Sequence, residues 1–262
     1  MRIGFIGTGN ITGALVTGLS TRTNARYPIV LSPRNREKSA YLANQFDNVR
    51  VAPDNQDVID GADLVVLALR PQTALEVTGG LRFHRSQKVL TLLGATPIAA
   101  VCRAVAPASC VLRAVPLPSA ALGVGPILQY PEDPDVADLL GGVGECIVVS
   151  EESHLSLLSA VTALISPFFT LLDTVSGWAV ARGVEKRLAE RYTVSMFHAL
   201  CEQALHAPQI GFEHLAEEAA TPGGLNEQAH GVISKENGYA VFFHALEAVA
   251  ERIGKVPSLG RE

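Results

Sequence analysis

Two stretches combine residue types and order that could act on a bound ligand: Gly7-Thr8-Gly9-Asn10-Ile11-Thr12 and Thr221-Pro222-Gly223-Gly224-Leu225-Asn226-Glu227. The first follows an apolar run from Arg2 to Ile6 and precedes an Ala/Leu-rich stretch from Ile11 to Leu19, so it reads as the turn between a strand and a helix. Glycines at such a turn let the chain bend sharply and let a phosphate approach the free N–H groups of the helix start, which points to the pyrophosphate of a dinucleotide. Gly7 permits the turn and Gly9 the close approach, with Thr8, Asn10 and Ile11 beside them. Thr12 stands where a third glycine is usual. Alone the motif could be an ordinary glycine turn; the strand before it and the helix after it give it weight.

Selection between the two nicotinamide dinucleotides is made after the second strand, where an acid receives the ribose hydroxyls of NAD and a basic group receives the extra phosphate of NADP. The segment Ser32-Pro33-Arg34-Asn35-Arg36 holds no acid and offers a hydroxyl, an amide and two guanidinium groups, a set suited to a dianion. The alternative is a solvated loop that is merely basic. NADPH is expected, with NADH as the second possibility, and Ser32, Arg34 and Asn35 as the phosphate end.

The second stretch has a threonine and proline, two glycines that admit a ligand to the backbone, and a helical segment behind them. Such a helix start attracts anions. Glu227 reads either as a first-turn acid favoured by the helix dipole or as a proton donor. Elsewhere, His198, Cys201, Glu202 and His206 recur at helical spacing, but their neighbours suit a packed helix and no second ligand cluster has metal spacing, so no metal is expected. The chain has no GxSxG and no HExxH, which removes the common hydrolase readings.

Strands must carry these turns. Pro28–Ser32, Asp63–Ala68, Lys88–Leu93 and Cys110–Val115 read as further buried strands, and Glu37–Gln45 as a helix between them. Strands alternating with helices predict a mostly parallel sheet. After Val149 the pattern changes to long helical periods over Glu151–Gly183 and Glu185–His206, then Asn226–Ser234 and Gly238–Arg252, with an irregular tail from Lys255. The expected organisation is α/β: a Rossmann-type doubly wound domain over residues 1–150 and an all-helical domain over 151–262.

Composition agrees. The chain is 48% apolar and only 18% charged, leaving apolar surface for a subunit interface, and its net charge of -5 argues against nucleic acid as a partner. Four cysteines without CxxC spacing fit a reducing compartment. No run reads as a span of ~20 apolar residues, so no membrane partner is expected and the cytoplasm is the expected location.

Gly4-Phe5-Ile6-Gly7-Thr8-Gly9-Asn10, Ala62 to Gln72, Arg113-Ala114-Val115-Pro116 and Thr221-Pro222-Gly223-Gly224 together resemble, in the same order, blocks of the pyrroline-5-carboxylate reductases. That resemblance implies reduction of pyrroline-5-carboxylate to proline by hydride transfer to C=N, and a homodimer formed through the C-terminal helices. It also implies that Asn55 meets the adenosine ribose and that the backbone of Ala68, Leu69, Arg70 and Pro71 passes the nicotinamide ribose. The Gly223-Gly224 turn, with Leu225, would hold the substrate carboxylate, and Asn226 would stand where the family has a threonine at the imine nitrogen. Asn226 and Glu227 are thus the candidate catalytic residues.

The departures lie at the substrate end. Val115-Pro116-Leu117-Pro118-Ser119 replaces the family's Met-Pro-Asn-Thr-Pro, Leu164-Ile165-Ser166-Pro167-Phe168 replaces Gly-Ser-Gly-Pro-Ala, and Leu225-Asn226-Glu227-Gln228 follows the glycines in place of small residues and threonine. These leave open a reductase of a different imine and a non-catalytic NADP-binding paralogue. A β-hydroxyacid dehydrogenase would need a helix lysine as acid, and Lys186 lies in a charged helix start.

Overall fold

The computed structural model describes residues 1–94 and 96–255; the tail beyond Lys255 lies outside the described residues. The chain divides into two compact units, one of Met1–Ser159 with the chain from Arg252, the other of Ala160–Glu251.

In the first unit, strands and helices alternate: β1 (Ile3–Ile6), α1 (Asn10–Arg22), β2 (Ile29–Leu31), α2 (Arg36–Gln45), β3 (Val49–Val51), α3 (Asn55–Asp60), β4 (Leu64–Leu67), α4 (Pro71–Gly79), β5 (Lys88–Thr91), α5 (Ile98–Ala104) and β6 (Cys110–Val115). Then come β7 (Pro126–Tyr130), α6 (Pro134–Gly141), β8 (Glu145–Val148) and α7 (Glu152–Val161). The eight strands run in the order β3-β2-β1-β4-β5-β6-β7-β8, all pairs parallel except β6 with β7. The chain reverses direction outward from β1, first towards β3 and then towards β8, which makes the sheet doubly wound.

Strand alternation builds two cores. Ile3, Phe5, Leu64 and Val66 face one layer with Leu15, Leu19 and Leu139, while Ile6, Val65 and Leu67 face the other with Val58, Ala74 and Val101. Both faces of β1 and β4 are covered, so these strands are continuous apolar runs, as parallel strands under helices must be. Gly4 lies where a Cβ would come within 2.8 Å of Ala62 and Val58, so α3 packs directly on the strand.

The expected division near Ser150 falls short of where the structure divides. The reason is α7: Leu155 is fully buried with Leu128 and Val149, and Glu152 bonds back into the first unit. The second unit is helical throughout, with α8 (Ile165–Val180), α9 (Lys186–His206), α10 (Phe212–Ala219), α11 (Leu225–Lys235) and most of α12 (Gly238–Lys255). The helical stretch expected over Glu151–Gly183 is divided into α7 and α8 by a 3-10 turn at Thr162–Leu164. Read through, Glu152–Val180 is a 29-residue helical run containing an 18-residue window of mean hydropathy 2.0, by length and composition enough to cross a membrane. That corrects the expectation that no such run exists: α7, the 3-10 turn and α8 follow one another with no Asp, Glu, Lys or Arg between Glu152 and Asp173.

Candidate active site

The glycine loop is held from below. Gly7 sits at φ +100°, and a Cβ there would run into the carbonyl of Ala68, so only glycine serves. Its N–H donates to Ser32 Oγ at 2.9 Å, and the Thr8 hydroxyl donates to the Ser32 carbonyl at 3.1 Å. Thr12, buried at the place of the missing third glycine, donates its hydroxyl to the Gly7 carbonyl at 2.6 Å. That bond satisfies a polar side chain inside the core and explains how threonine is accepted.

Above the loop the backbone is open. Gly9 caps α1 with no side-chain bond to the helix start, and among the described residues nothing lies within 4 Å of where its Cβ would stand. The first N–H groups of α1 therefore lack intrahelical partners and point at whatever occupies the cradle. Such a cradle fits the pyrophosphate of a dinucleotide. A cleft of about 250 Å³ opens here, lined by Gly9, Asn10, Ile11, Thr12, Ala68, Leu69 and Arg70 with Leu92, Val115 and Pro116. Pro71 begins α4 just beyond it.

Three sequence assignments change on this view. Ser32 is buried and its Oγ accepts the Gly7 N–H, so its hydroxyl braces the loop from within. Thr8 is turned inward, leaving its backbone as the part that reaches a ligand. Asn35 caps α2, accepting the Lys38 N–H at 3.3 Å and donating Nδ2 to the Thr8 carbonyl at 3.1 Å. Arg34 and Arg36 remain exposed beside it. Asn55 is half-buried at the first position of α3, outside the cleft described above.

Lys38 was not anticipated. Its Nζ donates to Asn10 Oδ1 at 2.7 Å, and its chain passes close to Gly13, where a Cβ would meet Cε at 3.0 Å. Its distance of two residues from Arg36 was the available signal.

The far wall of the cleft is fixed by Arg113, two residues before Val115 on β6. Its guanidinium is buried, with Nη1 3.4 Å from Glu152 Oε1 and, among the described residues, no partner for Nε. Burial pulls its pKa down, against the pull of Glu152. The same Glu152 oxygen accepts the Ile98 N–H at 2.7 Å, so one carboxylate ties β6, α5 and α7 together.

In the second unit the turn before α11 closes through Gly224 N–H to the Thr221 carbonyl at 2.8 Å, with Gly223 at φ +75°. Among the described residues no side chain caps α11, whose N-cap is Gly224. Instead Glu227 reaches back and accepts the Gly223 N–H at 2.7 Å, the first-turn arrangement that satisfies an otherwise orphaned donor. Glu227 is thereby committed to the turn, which weakens the reading of it as a proton donor. Asn226 donates Nδ2 to the Ala219 carbonyl at 3.0 Å. The ladder of α11 starts with Gln228 N–H to Gly224, leaving the N–H groups of Leu225 and Asn226 outside it.

On α9, His198 and His206 lie 3.9 and 3.8 Å from Glu202, and among the described residues no three His, Cys, Asp or Glu side chains gather as a metal site. Cys201 instead lines an apolar hollow of about 560 Å³ with Leu205, Pro208, Phe212 and Leu215. This hollow was not read from sequence because the short α10 was not recognised.

Residues 2–118 match the family described as NADP oxidoreductase coenzyme F420-dependent, and residues 152–256 match pyrroline-5-carboxylate reductase dimerisation. The chain is similar to the pyrroline-5-carboxylate reductase of Haemophilus influenzae, 25% identical over 268 residues that cover 98% of each chain. Its fold is that of the 1-pyrroline-5-carboxylate reductase of Streptococcus pyogenes, with TM-score 0.84 and 20% identity over 97% of this chain and 98% of that one. It is likewise similar to the Plasmodium falciparum pyrroline carboxylate reductase with NADP bound, with TM-score 0.80 and 15% identity over 97% of each.

Proposed function

The chain belongs to the pyrroline-5-carboxylate reductase family, and from that premise we propose that it reduces the C=N bond of pyrroline-5-carboxylate to proline with NADPH. One observation carries the reading: a single chain holds both a helix start left open at Gly9 and a glycine turn leaving the Leu225 and Asn226 N–H groups outside the α11 ladder. The first suits a pyrophosphate and the second a substrate carboxylate.

In this reading Gly7, Gly9, Asn10, Ile11 and the backbone of Thr8 hold the dinucleotide, Ala68 to Pro71 pass its nicotinamide ribose, and Asn55 meets the adenosine ribose. Arg34 and Arg36, exposed in a loop without an acid, receive the 2′-phosphate and favour NADPH over NADH. When bound, the reduced nicotinamide supplies a hydride. The chain's own residues orient the imine: Gly223, Gly224 and Leu225 hold its carboxylate and Asn226 meets its nitrogen.

The dimerisation domain supports a homodimer. Phe169, Trp178, Leu205 and Phe212 stand more than half exposed on α8, α9 and α10, and an apolar surface of that extent calls for a covering partner. We assign the Glu152–Val180 run to this interface and the protein to the cytoplasm.

The test is NADPH oxidation with pyrroline-5-carboxylate, run beside pyrroline-2-carboxylate and piperideine carboxylates. Rapid turnover of the first is expected. Turnover of another imine alone would move the substrate and implicate Leu117, Leu225 and Asn226; NADPH binding with no oxidation would overturn the enzymatic reading.

A further inference from the structure

We propose that Arg113 and Glu152 are a positioning pair for the nicotinamide: without touching the cofactor, their link sets the two strand ends that wall the ring side of the cleft. This rests on the reading of the cleft as the cofactor site. Arg113 on β6 is the register partner of Thr91 on β5. Leu92, one residue beyond Thr91, and Val115 and Pro116, two and three beyond Arg113, line the cleft together with Ala68, Leu69 and Arg70. The pair therefore stands directly beneath the part of the wall that the ring would meet.

Both links run through one carboxylate oxygen. Glu152 Oε1 accepts the Ile98 N–H at 2.7 Å and a bond from Arg113 Nη1 at 3.4 Å, so the starts of α5 and α7 are tied to β6 at a single point. The chain from Leu92 to Ile98 is thereby held at both ends, since the Leu92 N–H donates to the Leu67 carbonyl at 2.9 Å. Strand alternation puts Val115 on the same face as Arg113, and Val115 packs on Leu128, Val149 and Leu155 of α7. Helix α7 grips this face twice, by contact at Leu155 and by charge at Glu152. Arg113 is only 2% exposed. An arginine buried that deeply is a poor route to stability, because packed apolar side chains of the same volume do as well or better. What it supplies is direction, since a planar guanidinium on a carboxylate fixes an orientation that apolar contacts leave loose.

Hydride transfer depends steeply on placement, and a shift of about 1 Å can cost about a hundredfold in rate. Releasing the Glu152 bonds frees the start of α5 and the end of β6 together, and so moves the wall. The glycine cradle lies at the end of β1, with β4 and β5 between it and β6. The pyrophosphate end should not feel the change.

The test separates the ring from the rest of the cofactor. The wild type should bind NADPH more tightly than 2′-phospho-ADP-ribose, which has every part of the cofactor except the nicotinamide ring. Glu152→Ala should narrow that gap about tenfold by weakening NADPH alone, and Glu152→Gln, which keeps an acceptor for Ile98 and Arg113, should restore it to within about threefold of the wild type. Arg113→Met breaks the link from the strand side and should narrow the gap similarly, which keeps the comparison in hand if Glu152→Ala does not fold. Asp133→Ala removes the partner of Lys88 at the start of β5, away from the cleft, and should leave the gap unchanged. With pyrroline-5-carboxylate, kcat of the Glu152→Ala enzyme should fall about 10- to 100-fold while KM for the imine stays within about threefold. An unchanged gap in both variants, equal losses of the two ligands, or a wild type that binds the two equally overturns the proposal. A gap that the variants narrow as expected, in a protein that turns over no imine, upholds the positioning role and removes the reductase reading instead.

Discussion

The Ser32 hydroxyl accepts the Gly7 N–H at 2.9 Å and so braces the glycine loop from beneath. Ser32→Ala should therefore weaken NADPH and NADH by the same factor, about three- to tenfold, because it loosens the cradle both cofactors share. Titration of both cofactors by fluorescence checks this. A loss confined to NADPH would return Ser32 to the role of phosphate ligand.

Discrimination should instead lie with Arg34 and Arg36. Replacing both with alanine removes two exposed guanidinium groups from a loop that holds no acid. The expected result is a rise of about 10- to 100-fold in the KM for NADPH, with the KM for NADH within about twofold of its starting value. Equal losses for the two cofactors would mean that these arginines do not read the 2′-phosphate.

Thr12→Val tests how the loop dispenses with a third glycine. The substitution keeps the shape of a fully buried side chain but removes the 2.6 Å bond to the Gly7 carbonyl. A loss of about 1–2 kcal/mol in denaturant unfolding is expected, from a buried carbonyl left without its partner. An unchanged midpoint would mean that the carbonyl finds another donor.

These cases show what the sequence could carry. The buried strands β1, β2, β4, β5 and β6 were legible because both faces are covered and apolar residues therefore run together. β3 was not, since Val49-Arg50-Val51 is three residues long with an exposed arginine at its centre. At the site, residue types identified the loop, but not the direction of its side chains. Ser32 and Thr8 turn inward because the loop's own backbone needs them, and Glu227 turns back because the Gly223 N–H does. Such choices depend on where neighbouring elements lie, as does the amide orientation of Asn226, which is set by the end of α10.

The pairing of Lys88 with Asp133 gives the first unit a definite pH response. Lys88 Nζ lies 2.7 Å from Asp133, which is mostly buried and also caps α6 through the Val136 N–H at 3.1 Å. Burial raises the pKa of Asp133, but the bonds from Lys88 and the Val136 N–H outweigh it, so the folded value lies below the ordinary carboxylate range. The stability it contributes is present above the unfolded carboxylate pKa and is lost as pH falls through the lowered folded value. The bond to Asp133 and then that to Asp135 raise the pKa of Lys88, so its share is present below the ordinary lysine pKa and is lost as pH rises through the raised value. Asp133→Ala should cost about 2 kcal/mol at neutral pH, combining a lost cap with a part-buried ammonium left short of a partner. The deficit should shrink towards acid pH in thermal melts; a deficit constant from neutral to strongly acid pH would rule out the charge pairing as its source.

The apolar face of the second unit carries the last prediction. Phe169 on α8 is 62% exposed, and its neighbour Phe168 packs edge-on against Phe197 of α9, so the ring pair sits on a rigid two-helix base. Burying one such side chain at an interface is worth about 1.5–3 kcal/mol. In a two-fold dimer each substitution is met twice, and a carboxylate there must also be desolvated. Phe169→Glu should therefore weaken the dimer by several kcal/mol, enough to show monomer by light scattering at micromolar protein. Tyr41→Glu, equally exposed but on α2 of the first unit, should leave the dimer unchanged. The control matters because added negative charge by itself alters association. If Phe169→Glu remains dimeric while Tyr41→Glu does too, the α8 face is not the interface, and the apolar run from Glu152 to Val180 needs a different partner.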